Sequence, residues 1–147
     1  MTGLFRRLGI GGVVLILALE ASVQADQPMQ TSACDYYVDN ARSSDGVGSW
    51  DHPWRDINDH VGDLEPGDTM CVRGDVSGPG RVYEVDWIFL DSVGGIVRDG
   101  EPGSPITVRS YPGEKVILRN VDNDSSEAIV YFKGADYWIF EGFVMDN

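Results

Sequence analysis

Apolar and polar residues alternate through most of the chain after residue 68, and this alternation predicts short β-strands. In the first such segment Met70 and Val72 share one face, with Thr69, Cys71 and Arg73 on the other. The segments that alternate or are rich in β-branched and aromatic residues are 69–73, 106–109, 116–119, 129–133 and 137–145. Proline-glycine pairs, which suit tight turns, lie at 66–67, 102–103 and 112–113. The pattern therefore predicts an all-β domain.

One segment has a helical period instead. Its apolar residues recur at a spacing that would place them on one face of a helix, and they are Trp54, Ile57, Val61 and Leu64. Pro53 suits a first helical turn, and Pro66 cannot continue a helix. We therefore predict a short α-helix over about 53–64.

The arrangement of the strands is not fixed by the pattern alone. Neighbouring alternating segments are not joined by the Asn-Gly or Asp-Gly pairs that make two-residue hairpins, and 77–103 resembles a long irregular insertion. Short strands separated by bends favour a solenoid, in which each coil buries its apolar face against the next. A β-sandwich or a barrel remains open at this point.

The N-terminal segment has the composition of a secretory signal. Arg6 and Arg7 precede the apolar run 13–19, and the small residues of 21–25 end in Ala25. The alternative, a membrane anchor, needs a longer run of about 20 apolar residues. We therefore predict a signal peptide at 1–25 followed by a flexible leader at 26–33, with no membrane span after removal of the signal. The mature protein is predicted to be secreted, whether periplasmic, extracellular or on the cell surface.

The chain is strongly acidic. It has 11 lysines and arginines against 24 aspartates and glutamates, a formal net charge of −13. Binding to nucleic acid depends on neutralising phosphates with basic side chains, so no nucleic-acid partner is expected. An acidic protein can still bind an anionic polysaccharide through calcium or a local basic patch, so the charge does not exclude one.

The two cysteines, Cys34 and Cys71, can form a disulfide in an exported protein. Cys71 lies between the inward-facing Met70 and Val72 and should point outward. The alternative, two separate small apolar residues, stays open.

The order of motifs resembles the N-terminal region of secreted right-handed parallel β-helix proteins of the pectate-lyase-like superfamily. The resemblance covers 34–147, and its most specific part is GSPITVRSYPGE at 103–114. The other matching motifs are YYVD at 36–39, GSWDHPW at 48–54, PGDTMCVRG at 66–74 and YWIFEGF at 137–143. The resemblance implies that the helix at 53–64 caps the first open end of the solenoid. It also implies that the fold is incomplete at the C-terminus, because Trp138, Phe140, Phe143 and Met145 should face inward with nothing to cover them. A complete chain that dimerises through its last coil is the alternative.

For function, the resemblance implies a lyase on an acidic polysaccharide of pectate, alginate or chondroitin type, or a glycoside hydrolase. Such lyases remove the proton α to a uronate carboxyl group with a lysine or arginine base, while Ca²⁺ or basic side chains stabilise the developing charge. The catalytic residues are unknown and are expected beyond residue 147. The alternative is a non-catalytic carbohydrate-binding or adhesive module.

A few residues are candidates for contact with a ligand. Arg73, Arg109 and Arg119 each follow inward apolar residues and could form a basic stripe for uronate carboxylates, although surface ion pairs are the more common role of such residues. Trp87 could stack on a sugar. Three further residues could ligate Ca²⁺ from one loop or simply form a turn, namely Asp122, Asp124 and Glu127. His60 is expected on the helix surface.

Overall fold

The computed structural model describes residues 33–121 and 128–146, and within these ranges the protein is all-β. The strands are β1 (Tyr36–Val38), β2 (Thr69–Val72), β3 (Arg81–Val85), β4 (Ile88–Asp91), β5 (Ile106–Ser110), β6 (Val116–Asn120), β7 (Val130–Lys133), β8 (Trp138–Glu141) and β9 (Phe143–Asp146). The helical structure of these ranges is one 3₁₀ helix at Val61–Asp63. In the described part of the chain, no helix has the length and hydropathy that a membrane crossing requires. The predicted signal peptide and residues 26–32 of the leader lie outside the described residues.

The strands form three parallel sheets. From β2 onward, successive strands join the first, second and third sheets in turn. The first sheet has the order β1-β2-β5-β8, the second β3-β6-β9 and the third β4-β7. Each pairing between neighbouring strands of these sheets is parallel. A sandwich joined by hairpins would instead pair consecutive strands antiparallel. The strand order is therefore consistent with a parallel β-helix and not with a sandwich joined by hairpins.

Register places like residues above one another in the interior. Met70 of β2 pairs with Val108 of β5, which pairs with Phe140 of β8. The same stacking holds in the second sheet, where Leu118 pairs with Tyr83 on one side. The fully buried inward residues of the first three-strand turns include Met70, Val72, Ile88, Leu90, Ile106, Val108, Val116 and Leu118. Burial of each such side chain contributes about 1.5–3 kcal/mol, which holds successive coils together.

The predicted α-helix over 53–64 is wrong, although its four apolar residues are buried. Trp54 pairs in parallel with Val38, accepting a hydrogen bond from Asp39 N and donating one to Tyr37 O, so its backbone groups are used by β1. The Asp56 carboxylate accepts the N–H of Asn58, a local bond that competes with helix formation. The segment is thus an irregular layer beside β1, and its role as a cap of the solenoid stays a prediction.

The segment 77–103 is not an irregular insertion, because it contains β3 and β4. Tyr83 and Val85 of β3 and Ile88 and Leu90 of β4 are buried, in alternation with more exposed residues. These two strands complete the first coil, since they carry the second and third sheets. Inward apolar residues do alternate with other residues in the sequence of 82–90. The turn residues on either side made the whole segment look irregular.

The proline-glycine turns form as predicted. Gly67 and Gly113 have φ of 94° and 80°, in the left-handed region where glycine has no steric cost. Each glycine precedes a strand, β2 and β6 respectively, so the turn fixes where the strand begins.

Cys34 and Cys71 are joined by a disulfide with a Cα–Cα distance of 5.6 Å. Cys71 pairs with Tyr37 and Arg109, both on the outward face, and yet it is fully buried because the segment that carries Cys34 covers it. The disulfide therefore anchors the start of the described chain to the outside of the first sheet.

Candidate functional site

Arg73 follows β2, and Glu114 holds its side chain. Its Nε donates to both carboxylate oxygens at 3.1 and 2.9 Å, and its Nη2 donates to Oε1 at 2.8 Å. Its guanidinium lies over the Trp50 ring, 4.1 Å from the centroid, and 4.9 Å from that of Tyr111. Such stacking and bidentate pairing satisfy the charge of Arg73 within the protein.

The three candidate arginines do not form one stripe. Arg109 lies on β5 in register with Cys71, not with Arg73, and its Nη1 is 3.7 Å from Glu141 Oε1. Arg119 lies on β6 of the second sheet, where it binds Asp146 at 2.9 Å. Each arginine pairs with a carboxylate, which is the surface role that the sequence analysis weighed as the alternative. Contact of any of them with a sugar stays a prediction.

Trp87 belongs to a group of aromatic rings on the outside of the third sheet. Its ring centroid is 5.4 Å from that of Phe89, which in turn is 5.2 Å from that of Tyr131. Phe89 and Tyr131 are register partners on β4 and β7. This grouping could not be predicted from the sequence, because the two strands are far apart along the chain.

A polar cleft of about 530 Å³ lies between β3 and the segment that follows β1. Its lining residues are Asn40, Asp45, Arg55, Asp56, Asp59, Val82, Tyr83, Glu84 and Arg119. Four carboxylates face two guanidinium groups, so the cleft would repel an anionic ligand rather than attract one. The hydroxyl group of Tyr83 donates to Arg73 O at 2.8 Å, and burial raises the pKa of Tyr83 to about 12. Tyr83 is therefore a neutral structural group of the cleft.

His60 is held by two carboxylates at the side of this cleft, not at a helix surface. Its Nδ1 is 2.9 Å from Asp63 Oδ2, and its Nε2 is 2.9 Å from Asp45 Oδ2. Its ring stacks on Trp54 at 4.3 Å with an interplanar angle of 4°. Burial lowers the pKa of His60, but the hydrogen bonds and charges of Asp63 and Asp45 outweigh it and raise the pKa above its ordinary value. The imidazolium form donates to both carboxylates, which the neutral ring cannot do.

We predict that stability falls as the pH rises through the pKa of His60. The folded-state pKa is raised, so the stabilisation is complete below the unfolded-state value and is lost as the pH passes the folded-state value. His60→Gln keeps one hydrogen bond and does not titrate, so its unfolding free energy should lack this decline and should lie on the order of 1 kcal/mol below wild type at mildly acidic pH. Urea unfolding at a series of pH values measures both. Parallel pH profiles for the two proteins would contradict the prediction.

The described residues contain no group of three or more histidine, cysteine, aspartate or glutamate side chains that could hold a metal ion. The predicted calcium ligands Asp122, Asp124 and Glu127 lie outside the described residues. Calcium binding by that loop therefore stays a prediction.

Comparison with known proteins finds a distant relative among the pectate lyases. The chain is 28% identical over 120 residues to pectate lyase PEL9 of Emericella nidulans. The match covers 74% of this chain and spans 27% of the length of that relative. No protein-family model matches the chain, and no solved structure matches it.

Proposed function

We propose that this chain forms the N-terminal coils of a secreted protein that acts on polysaccharides. The activity we propose for that protein is a lyase reaction on an acidic polysaccharide of pectate, alginate or chondroitin type. The observation that carries the proposal is the 28% identity to a pectate lyase in a chain whose strands form rotating parallel sheets. Parallel strands joined by crossovers are right-handed in nearly all proteins, which supports the right-handed form of the β-helix. The disulfide suits the predicted export, because disulfides persist in oxidising compartments.

The irregular layer at 53–64 supports the proposed capping role. Trp54 pairs with β1 on the edge that β2 does not use, and its ring stacks on Tyr36 at 4.6 Å. Ile57, Val61 and Leu64 join the same core as the strands. A layer of this kind covers an edge that would otherwise present unpaired backbone groups.

The three arginines that the sequence analysis singled out do not offer the free base that a lyase requires. A basic side chain must be free to take the α-proton, whereas Arg73, Arg109 and Arg119 each pair with a carboxylate. We therefore keep the proposal that the catalytic groups lie beyond residue 147, as the resemblance implies.

This chain alone should not cleave acidic polysaccharides. Incubation with pectate, alginate and chondroitin should give no rise in the ultraviolet absorbance of unsaturated products, while the full gene product that contains this chain should give a rise on at least one. A clear rise with the chain alone would overturn the placement of the active site. Lack of product from the full gene product on all three substrates would contradict the lyase proposal.

The second candidate is a non-catalytic carbohydrate-binding or adhesive module. The exposed rings of Trp87 and Tyr131 favour it, because exposed aromatic patches on soluble proteins mark interaction sites. Binding of a polysaccharide by a full gene product that releases no unsaturated product would support this candidate over the lyase.

A further inference from the structure

Arg109 has an ion pair but not the hydrogen bonds that usually accompany one. Its Nη1 lies 3.7 Å from Glu141 Oε1, beyond the range of about 2.7–3.2 Å for a hydrogen bond from N–H to oxygen. Arg119, in contrast, donates to Asp146 at 2.9 Å. The charge of Arg109 is therefore balanced by Glu141, whereas its guanidinium donors are not used by that carboxylate.

The surroundings of Arg109 make these unused donors costly. In the described part of the chain its Nε has no hydrogen-bond partner, although the atom is shielded from solvent. The side chain lies on the outward face of β5, between its register partners Cys71 and Glu141, and it is only 20% exposed. A guanidinium group that is mostly buried and short of acceptors is destabilised, and a ligand that supplies acceptors recovers this free energy.

The accessible part of Arg109 suits a carboxylate. Unlike Nε, the terminal nitrogens Nη1 and Nη2 are not shielded from solvent, so a ligand can reach them. Their N–H groups lie in one plane and can donate to both oxygens of one carboxylate, which is the pairing that arginine favours. The Glu141 side chain is 53% exposed, so it can turn toward water when a ligand carboxylate takes its place.

We propose that Arg109 binds the carboxylate of a uronate unit in an acidic polysaccharide. The inference deepens the proposed function and rests on it, because that function supplies a polysaccharide whose sugar units carry carboxylates. Arg109 holds the substrate and is not the base, since a guanidinium group that donates these hydrogen bonds keeps its protons. The outward face of the first sheet thus contributes one binding position to the substrate path.

Isothermal titration calorimetry of the full chain with oligogalacturonates tests the proposal. The matched probe is the same oligosaccharide with its carboxylates methyl-esterified, which keeps the sugar and removes the charge. A chelator in the buffer prevents calcium from bridging two carboxylates. Wild type should bind the free acid and should not bind the ester. Added salt should weaken the binding, because it screens the attraction between the charges.

Two substitutions in the ion pair should change the affinity in opposite directions. Arg109→Gln should bind the free acid about tenfold more weakly, because the charge-assisted hydrogen bonds to the carboxylate are lost. Glu141→Gln should bind it about twofold to threefold more tightly, because the carboxylate that competes for Arg109 is gone. Arg109→Lys keeps the charge but not the planar fork, so its affinity should lie between those of Arg109→Gln and wild type.

The pair of Arg119 and Asp146 provides matched controls on the second sheet. Arg119→Gln and Asp146→Asn change the net charge by the same amounts as the two test substitutions, and both of these side chains are about half exposed. Each control should bind the free acid as wild type does. Circular dichroism and urea unfolding of every variant check that it is folded.

The pattern across the two pairs decides the inference. A loss in Arg109→Gln and a gain in Glu141→Gln, with neither change at positions 119 and 146, supports the carboxylate site. Equal effects at the two pairs would mean that only the net charge matters, and this or any other pattern overturns the site. Equal binding of acid and ester, or no binding by wild type, also overturns it.

The proposed function is decided by a different measurement. Release of unsaturated product by the full gene product would keep the lyase proposal intact even if Arg109 proves to have no part in binding. Binding that depends on Arg109, together with no product from the full gene product, would keep the carboxylate site and contradict the lyase proposal. The two failures are therefore distinguishable.

Discussion

Reduction of the Cys34–Cys71 disulfide should lower the free energy of unfolding by about 4 kcal/mol. The bridge spans a sequence separation of 37 residues, and closing a loop of that length removes about this much conformational freedom from the unfolded chain. The Cys71 side chain lies on the outward face of the first sheet and is fully buried there. The bridge therefore also holds the start of the described chain on that sheet. Urea unfolding with and without a reductant measures the change without altering the sequence.

A serine pair provides the control for this experiment. The Cys34→Ser, Cys71→Ser protein should show the same loss or a slightly larger one, because a buried hydroxyl at position 71 adds its own cost. Its unfolding should no longer respond to the reductant. If wild type is as stable in reductant as without it, the disulfide does not constrain the chain and the prediction is wrong.

Removal of the Glu114 carboxylate should cost about 3 kcal/mol. The Glu114 side chain is only 6% exposed, and it accepts hydrogen bonds from Arg73 and from the N–H of Gly74 at 2.6 Å. Glu114→Ala leaves a half-buried guanidinium and a backbone N–H without their partner, and loss of one member of such a pair is strongly destabilising. Glu114→Gln should lose less, because its amide oxygen can still accept from Gly74.

The exposed pair of Arg98 and Glu65 is the matched control. Both of its side chains are mostly exposed, at 58% and 69%, and Glu65→Gln should change stability by less than about 0.5 kcal/mol. Urea unfolding of the four proteins gives the comparison. Equal losses at positions 114 and 65 would show that burial does not strengthen the Arg73 pair.

The same pair predicts sensitivity to acid. Burial raises the pKa of Glu114, but hydrogen bonds from Arg73 and Gly74 outweigh it and the pKa is lowered. The stabilisation is therefore present above the unfolded-state pKa and is lost as the pH falls through the folded-state value. Glu114→Gln should remove this part of the acid transition, and this readout separates the charge of Glu114 from its shape.

Local sequence patterns were sufficient to predict most strands and turns. Met70 and Val72, or Val116 and Leu118, alternate with outward residues because successive side chains in a strand point to opposite faces. This geometry holds wherever the strand lies. The proline-glycine turn at 112–113 is equally local, since its glycine supplies the positive φ that the turn needs.

Local patterns misled where tertiary contacts compete with them. The spacing of Trp54, Ile57, Val61 and Leu64 fits a helix. The same spacing also fits an irregular segment that buries an apolar side chain in the core every three or four residues. The backbone at Gly62 passes so close to Ile96 that a Cβ at position 62 would lie 2.7 Å from the Ile96 carbonyl oxygen. This contact with a distant segment is one of the tertiary contacts that compete with the local helical pattern. Backbone pairing of Trp54 with β1 then decides against the helix.

The all-β class, the turns and the inward residues of the strands outside 77–103 could be predicted from the sequence, because each depends on near neighbours in the chain. The tertiary structure alone decided the partners of the candidate residues. Glu114, Glu141 and Asp146 reach Arg73, Arg109 and Arg119 from other turns of the chain, and Tyr131 reaches Phe89 in the same way. The stacking register sets which side chains meet between coils. That register follows from the lengths of the intervening turns and the fit of the whole core, which no local pattern contains.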